Sequence, residues 1–356
     1  MAPTVFWPTL LGLCFLAAGV VSYRREFRAE RRREGFGLVA VGPAFVAAAL
    51  AAFAGEHFTA STSIAALVPE WLPARVFIAW FVGCAHLAAA LSFVARRFMR
   101  WSTIALALMF GLFVLLMDLP GAISRPADPL SWMLAARQAT FAIGALALFA
   151  TDAQSRSPLA SRTIAIIARI WTGIVLVAYG IQHVLHPEYA PGVPSPVRTA
   201  AWVPFPSLLA YGTGLLLIAF GILILARRSA STAAARCGLL MLMLTVVFYG
   251  PQFFLAESVQ EQITAVNFIF DTLLFSGTLL VISKAIAPGE PGAQERRRGE
   301  LADQPTSQGP ACAYMPTTTP VKLAPAPPAP LVLSIRPSAF SSTGVHRSRS
   351  VPNENP

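Results

Sequence analysis

Residues 206–228 read PSLLAYGTGLLLIAFGILILARR, an apolar run that carries no charge before Arg227 and Arg228. A hydrocarbon core about 30 Å thick needs roughly 20 apolar residues in one helix, so this stretch predicts a membrane-spanning helix. The whole chain has the same character. Of its 356 residues, 55% are hydrophobic and only 12% are charged, whereas soluble domains are about a quarter charged. A membrane protein is therefore expected.

Eight further segments match this run in length and composition. The nine predicted spans are 4–22, 36–56, 76–95, 102–122, 132–150, 165–185, 206–226, 237–255 and 264–286. The sequence therefore predicts an all-α fold, a polytopic transmembrane helical bundle of about nine helices.

The basic residues alternate with the spans. The loops that follow the odd-numbered spans, with the adjoining ends of the spans, are expected on the cytoplasmic side and carry 16 basic residues: Arg24, Arg25, Arg28, Arg31, Arg32, Arg33, Arg96, Arg97, Arg100, Arg156, Arg162, Arg169, Arg227, Arg228, Arg236 and Lys284. The opposite side has four: Arg75, Arg125, Arg137 and Arg198. Because cytoplasmic loops are enriched in Arg and Lys, we predict an N-terminus outside and a C-terminus in the cytoplasm. This bias explains the net charge of +10, so no nucleic-acid partner is expected.

Short motifs recur along the chain in the same order. Gly83, Ala95-Arg96-Arg97 and Leu119-Pro120 match residues 131 positions later, while two matches in the outer loops have offsets of 126 and 135. One of these two pairs Glu56-His57 with Gln182-His183. The pattern predicts two parallel four-helix repeats related by an axis along the membrane normal.

The predicted organisation has four parts. Residues 1–35 are an N-terminal transmembrane anchor with a basic loop, 36–152 the first repeat and 163–287 the second. Residues 288–356 hold 13 of the 29 prolines and are expected to be a disordered, Pro-rich cytoplasmic tail.

The sequence does not assemble a catalytic site. The four cysteines, Cys14, Cys84, Cys237 and Cys312, contain no CxxC pair, so thiol redox chemistry is not indicated. No Walker loop, nucleophile triad or pair of catalytic carboxylates is found either. Whether the protein is an enzyme stays open, and a non-catalytic role is favoured.

Charged residues inside the spans are the best candidates for function. Asp271 lies within the ninth span and Arg137 within the fifth, and intramembrane charges are costly enough to suggest a role. A pair between them would link the two repeats, and structural pairing and ligand or proton handling both remain open. The outer pairs Glu56-His57 and Gln182-His183 either form a shared site for a small polar molecule or quinone headgroup, or cap their own helices.

A metal site is a further hypothesis. His183, His186 and Glu188 offer two imidazoles and a carboxylate, and haem is a related possibility. Pro187 disfavours a helical conformation at His186, so hydrogen bonding of these histidines to loop carbonyls is the alternative. His86 is interpreted as a satisfied interior histidine.

Residues 165–283 resemble the DoxX-like family of bacterial membrane proteins. The resemblance rests on Tyr179-Gly180, Gln182-His183, His186-Pro187, Tyr211-Gly212-Thr213-Gly214, Ala226-Arg227-Arg228 and the motif from Asn267 to Gly277. It implies a four-helix unit in the bacterial plasma membrane, with residues 40–150 a diverged copy. Some members of the family are similar to a subunit of a thiosulfate:quinone oxidoreductase, and others are linked to redox homeostasis.

Three functions are hypotheses at this point. The first is a non-catalytic binding or accessory subunit near quinone-linked redox chemistry, with a redox partner subunit in the bilayer. The second is a small-molecule permease. The third is a structural or interaction protein whose Pro-rich tail recruits a partner.

Overall fold

A computed structural model describes residues 1–32, 37–151, 158–195 and 197–287 of the chain. These ranges form helices joined by loops, with one isolated antiparallel bridge between Tyr189 and Arg198. The predicted all-α fold is confirmed. The predicted Pro-rich tail, residues 288–356, lies outside the described residues.

The helices follow one another with short connections. In chain order they are α1 (Pro3–Arg32), a 3-10 turn (Gly37–Val41), α2 (Gly42–Thr59), α3 (Ser61–Ala65), α4 (Arg75–Ala95), α5 (Met99–Phe113), the π segment π1 (Val114–Asp118), α6 (Leu119–Ser124), α7 (Pro129–Thr151), α8 (Pro158–Leu185), α9 (Pro206–Leu225), α10 (Ala230–Met243), the π segment π2 (Leu244–Tyr249), α11 (Gly250–Leu255) and α12 (Val259–Ala285).

Nine continuous helical stretches in the described ranges are long and apolar enough to cross a membrane. The chain is thus a multi-pass membrane protein, as predicted. Helix α8 ends at Leu185, just before the position that Pro187 restricts. Helix α1 continues to Arg32, so the arginines that follow the first predicted span, from Arg24 to Arg32, lie on a helix. Arginine and glutamate are good helix formers, and no Gly or Pro interrupts the helix there.

Helices α2 and α12 lie at the centre of the bundle. Most of α12 is buried from Phe270 to Ser283, and α2 is buried along Gly42–Ala52. Helix α12 packs against α2 and α7 on one side and α10 on the other. The close approach of α2 and α12 depends on Gly277, because a Cβ there would lie 2.8 Å from Gly42 O. Helix α12 therefore contacts helices from both the earlier and the later part of the described chain.

Both π segments precede a proline. Pro120 has no N–H to donate to Leu116 O, and Pro251 has no N–H to donate to Val247 O. Each of these two carbonyl groups lies inside a π segment. A proline removes one bond from the helical ladder, and such gaps are a common cause of local distortion in a helix. The sequence alone did not lead us to expect either segment.

Several structural boundaries recur at one spacing. Helices α4 and α9 begin 131 residues apart, at Arg75 and Pro206, and so do α5 and α10, and α6 and α11. Left-handed backbone recurs as well, at Ala74 and Phe205 before α4 and α9 (φ 53° and 51°) and at Arg96 and Arg227 after them (φ 56° and 64°). Non-glycine residues with positive φ are uncommon, so their recurrence at one offset is a specific similarity between the two halves.

Candidate functional site

The bundle has two ends, which we name after one residue at each. The His57 end contains the last turn of α2 and the start of α4, and the Arg96 end contains the last turn of α4 and the end of α1. Many of the polar residues of the spans and adjoining loops lie toward the His57 end: Glu56, His57, Asp118, His183, His186, Glu188 and Asn267.

The ion pair between Arg137 and Asp271 is present. Arg137 on α7 donates from its terminal Nη1 to Asp271 Oδ2 on α12 at 3.0 Å, and the Asp271 side chain is only 8% exposed. A charge taken out of water is strongly destabilising unless a partner compensates it. The pair therefore holds α7 to α12 inside the bundle.

A second polar contact joins α2 to the same face of α12. Asn267 Nδ2 donates to Glu56 Oε2 at 3.1 Å. Asn267 and Asp271 are four residues apart on one helix and so lie on one face. Glu56 and Asp271 also interact electrostatically. Two carboxylates thus interact at this end of the bundle, and the Arg137 guanidinium is paired with the buried one, Asp271.

Asp118, the last residue of π1, adds a third carboxylate and interacts electrostatically with Arg137. Together these residues and His86 form what we call the polar layer: Glu56, His86, Asp118, Arg137, Asn267 and Asp271. The layer contains buried polar atoms that have no hydrogen-bond partner among the described residues. These atoms are Glu56 Oε1, Asp118 Oδ2, Arg137 Nε and both ring nitrogens of His86.

His86 on α4 differs from its sequence interpretation. Its ring is buried between His57, Phe53 and Phe110, with ring centroids 5.3, 6.1 and 6.1 Å away. Neither ring nitrogen has a partner in the described part of the chain. The interpretation of His86 as a satisfied interior histidine is therefore not met, because the rings that pack against it leave both of its nitrogens without a hydrogen-bond partner among the described residues.

An apolar cavity lies next to the polar layer, on the side that faces the Arg96 end. Its volume is about 10 Å³, which is close to the space that one water molecule requires. The lining residues come from α2, α4, α5, α7 and α12: Val46, Phe93, Leu106, Phe110, Phe141, Gly144, Ala145, Leu148, Leu274, Thr278 and Val281. Phe141 is one helical turn from Arg137, and Leu274 is one turn from Asp271, so the cavity begins where the layer ends.

His183 on α8 has a different environment. Its Nε2 lies 2.8 Å from Gly192 O and 3.1 Å from Gly192 N. A protonated Nε2 donates to the carbonyl and an unprotonated Nε2 accepts from the N–H, so either tautomer finds a partner. Gly192 has φ of 110°, a conformation that favours glycine.

Gly192 belongs to a loop segment that enters the bundle. Residues 190–195 are all buried, and we call them the buried loop. Tyr249, at the end of π2, donates its hydroxyl to Pro191 O at 2.8 Å. Irregular backbone is tolerated at membrane depth only when it is covered by protein or lines a cavity. The two side chains provide partners for the loop backbone in the interior.

The proposed metal ligands are not brought together. His183 faces Gly192, while His186 follows the end of α8 and lies 3.3 Å from Glu188 Oε1 on the surface. A backbone N–H bond and the contact with His186 hold the pKa of Glu188 below its usual value. No group of three His, Cys, Asp or Glu side chains in the described ranges is arranged to hold a metal ion.

The expected site shared by Glu56-His57 and Gln182-His183 does not form in the structure. Glu56 bonds Asn267, His183 bonds Gly192, and His57 Nδ1 donates to Phe53 O in its own helix at 2.9 Å. The alternative, in which each pair caps its own helix, agrees with His57, which bonds a carbonyl of its own helix, but not with His183, which bonds the loop at Gly192. Asp118 and Asn267 were not predicted as site residues from the sequence. The signal that could have identified Asp118 is its position inside the predicted span 102–122, just before Leu119-Pro120.

The chain matches no protein-family model, no curated protein and no solved structure. The resemblance to the DoxX-like family accordingly remains a prediction from the motifs.

Proposed function

We propose that the protein is a non-catalytic, membrane-embedded binding or accessory subunit whose polar layer receives the headgroup of a small molecule. The observation that carries this proposal is the set of buried polar atoms without partners in the layer. Buried polar groups are almost always hydrogen-bonded in native structures. Several buried polar atoms without partners, on different helical elements, are typical of a site that binds a ligand or ordered water.

A quinone headgroup is the first candidate ligand. Its two carbonyl oxygens accept hydrogen bonds, and Arg137 Nε and one His86 ring nitrogen are buried donors without a partner among the described residues. The apolar residues that line the cavity next to the layer would contact the hydrocarbon part of such a molecule once the helices separate. Haem fits less well, because His57, Phe53 and Phe110 enclose the His86 ring.

Binding requires the helices to move. A cavity of about 10 Å³ admits a water molecule, whereas sites for small organic ligands are typically about 300–1,000 Å³. The headgroup therefore enters only when α4 and α5 separate from α2 and α7. This requirement predicts slow binding kinetics and ligand retention during purification.

The two halves of the bundle are proposed to be copies of one four-helix unit. The spacing of 131 residues between helix starts supports this, as do the paired left-handed residues and the paired π segments. Packing supports it too. A Cβ at Gly83 would lie 2.8 Å from His57 Cβ, and one at Gly214 would lie 3.1 Å from His183 Cβ. We call residues 37–151 the first unit and 158–287 the second.

The family and the location are proposed with the function. The motifs of the second unit support a DoxX-like protein of the bacterial plasma membrane, with its N-terminus outside and an oxidoreductase subunit as its partner. The bias of arginine and lysine toward the Arg96 end supports this orientation. On this orientation the polar layer lies in the outer half of the membrane.

A small-molecule permease is the second candidate. The π segments favour it, because they interrupt α5 and α10 at matching positions, and π segments occur frequently at functional sites. Interrupted helices in corresponding repeats are a common feature of transporter binding sites.

Purification in mild detergent, followed by mass spectrometry of bound small molecules, tests the first candidate. We expect an isoprenoid quinone at a substantial fraction of one molecule per chain. The His86→Leu variant should lose it, and Glu188→Gln, a surface substitution near His186, should keep it. A chain that is folded but free of ligand, and that binds no added quinone, contradicts the proposal.

Uptake measurements distinguish the second candidate. Proteoliposomes are supplied with labelled quinone analogues or small organic acids, with and without a pH gradient. Accumulation that saturates with concentration and is lost in Glu56→Gln supports a permease, whereas binding without accumulation supports the accessory subunit.

A further inference from the structure

We propose that the first unit, together with α1 and α12, also conducts protons between the two ends of the bundle. The path has three parts, which are the polar layer, the apolar cavity and a basal cluster that consists of Glu26, Arg96 and Lys284. This function goes beyond ligand binding at the polar layer and does not depend on it.

The polar layer is the first part of the path. Glu56, Asp118, Asp271 and His86, with the adjacent His57, provide carboxylate and imidazole groups that can bind a proton. Arg137 is paired with Asp271, so its charge is offset where the path begins. The free oxygens of Glu56 and Asp118 and both nitrogens of His86 are buried and have no partner in the described chain. These are sites at which a proton and its water can be held.

The apolar cavity is the second part. It lies between the layer and the Arg96 end, and no charged side chain is among the described residues that line it. Phe110 and Phe141 lie at the layer side, with ring centroids 5.5 Å apart, and His86 packs against Phe110. Apolar constrictions control conduction by filling with water or emptying. A cavity with room for about one water molecule is therefore a narrow gate rather than an open pore.

The basal cluster is the third part. Glu26 on α1 forms an ion pair with Arg96 at the end of α4 and interacts electrostatically with Lys284. Its second oxygen, Oε2, is buried without a hydrogen-bond partner among the described residues. The cluster lies at the surface about one helical turn beyond the cavity, since Arg96 follows the lining residue Phe93 by three positions and Lys284 follows Val281 by three.

The three parts lie in order along α12. Asp271 and Lys284 are 13 residues apart on this helix, a distance of about 20 Å, and Thr278, between them, is one of the residues that line the cavity. In the proposed path, water that enters the cavity bridges this distance between the carboxylates of the polar layer and Glu26.

Proton flux into liposomes tests this inference. The full-length protein is reconstituted with an internal pH-sensitive dye, and a potassium diffusion potential is applied with valinomycin. We expect acidification above that of protein-free liposomes. Phe110→Ala removes part of the gate and should raise the rate by about tenfold, since widening an apolar constriction favours its hydration. Phe141→Ala, on the facing helix, should act in the same direction.

Two further variants make the test specific. Phe77→Ala removes an exposed ring on the same unit and should leave the rate unchanged. Glu26→Gln removes the basal proton acceptor and should lower it. The inference is overturned if wild-type, Phe110→Ala and Phe141→Ala proteins, each monodisperse after purification, acidify no faster than empty liposomes. It is also overturned if the flux is accompanied by leakage of an entrapped anionic dye. Quinone binding is measured separately, so either proposal can fail alone.

Discussion

The surroundings of His57 and His183 differ although the helices that hold them are alike. The β-carbon of each histidine rests beside a glycine of the next long helix, Gly83 or Gly214. His183 then meets the backbone of the buried loop and is satisfied, whereas His57 meets the ring of His86. Two similar arrangements of helices can thus differ in whether the polar groups between them are hydrogen-bonded. One interior is filled by the chain's own backbone, and the other retains polar atoms without partners among the described residues.

The largest effect is expected at the ion pair between Arg137 of the first unit and Asp271 of the second. Asp271→Leu leaves the Arg137 guanidinium buried and unpaired, which should lower the free energy of unfolding by about 3–5 kcal/mol. Thermal unfolding in detergent measures this. The double variant Arg137→Met/Asp271→Leu is the control and should recover most of the loss, because two apolar side chains can replace a buried pair. Equal stability of Asp271→Leu and wild type would show that the pair does not hold α7 to α12.

The second test concerns the buried loop of the second unit. His183→Leu removes the side chain that satisfies Gly192, so the stability should fall by about 1–3 kcal/mol. Amide hydrogen exchange in a peptide that covers residues 190–195 should accelerate. His186→Leu, at a partly exposed position beyond α8, should change neither quantity. Unchanged exchange in His183→Leu would mean that the loop stays in place without this contact.

A smaller effect, with the opposite sign, is expected at His86. His86→Leu places in the first unit the residue type found 131 positions later, Leu217. Because the ring nitrogens have no partner in the described chain, their removal should leave the ligand-free protein unchanged or stabilise it by about 1 kcal/mol. Thermal unfolding is again the measurement. A loss above about 2 kcal/mol, comparable to a broken buried hydrogen bond, would indicate that His86 has a partner in the purified protein.

The smallest effect is a pH dependence at the start of α7. Asp128 accepts from Ser131 Oγ at 2.6 Å and from Leu130 N at 3.1 Å. The Ser131 bond is the main reason why the pKa of Asp128 lies below its usual value. A lowered pKa means stabilisation above pH of about 4 that is lost as the pH falls further. Asp128→Asn should flatten that part of the stability profile slightly, and a profile identical to wild type would contradict the assignment.

Much of the fold was predictable because membrane insertion is encoded locally. The nine spans follow from runs of apolar residues, and the end of α8 follows from Pro187. The pair between Arg137 and Asp271 was also predictable, since two isolated charges in apolar helices have few other partners. The continuation of α1 through its arginines was not predicted, because hydropathy marks the membrane boundary rather than the end of a helix.

The interior of each unit was harder to predict than its helices. Whether His183 binds a metal or a backbone carbonyl depends on the path of residues 190–195, and nothing local specifies that path. The isolation of His86 depends on three aromatic residues from two other helices. The contribution of Asp118 depends on the π segment that it ends, which shifts the direction of every later side chain in that helix.

The π segments therefore link chain length to side-chain direction. An α-helix turns by about 100° per residue, and a π segment accommodates one extra residue within such a turn; Asp118 and Tyr249 are the last residues of the two segments. Deletion of one residue from Val114–Asp118 should convert the segment into regular α-helix and leave Asp118 facing Arg137. Deletion of one residue from the regular part of α5 or α10 should instead rotate one part of the helix against the other by about 100°. The π segments are thus the places in this protein where helix length can change with the least effect on the interior.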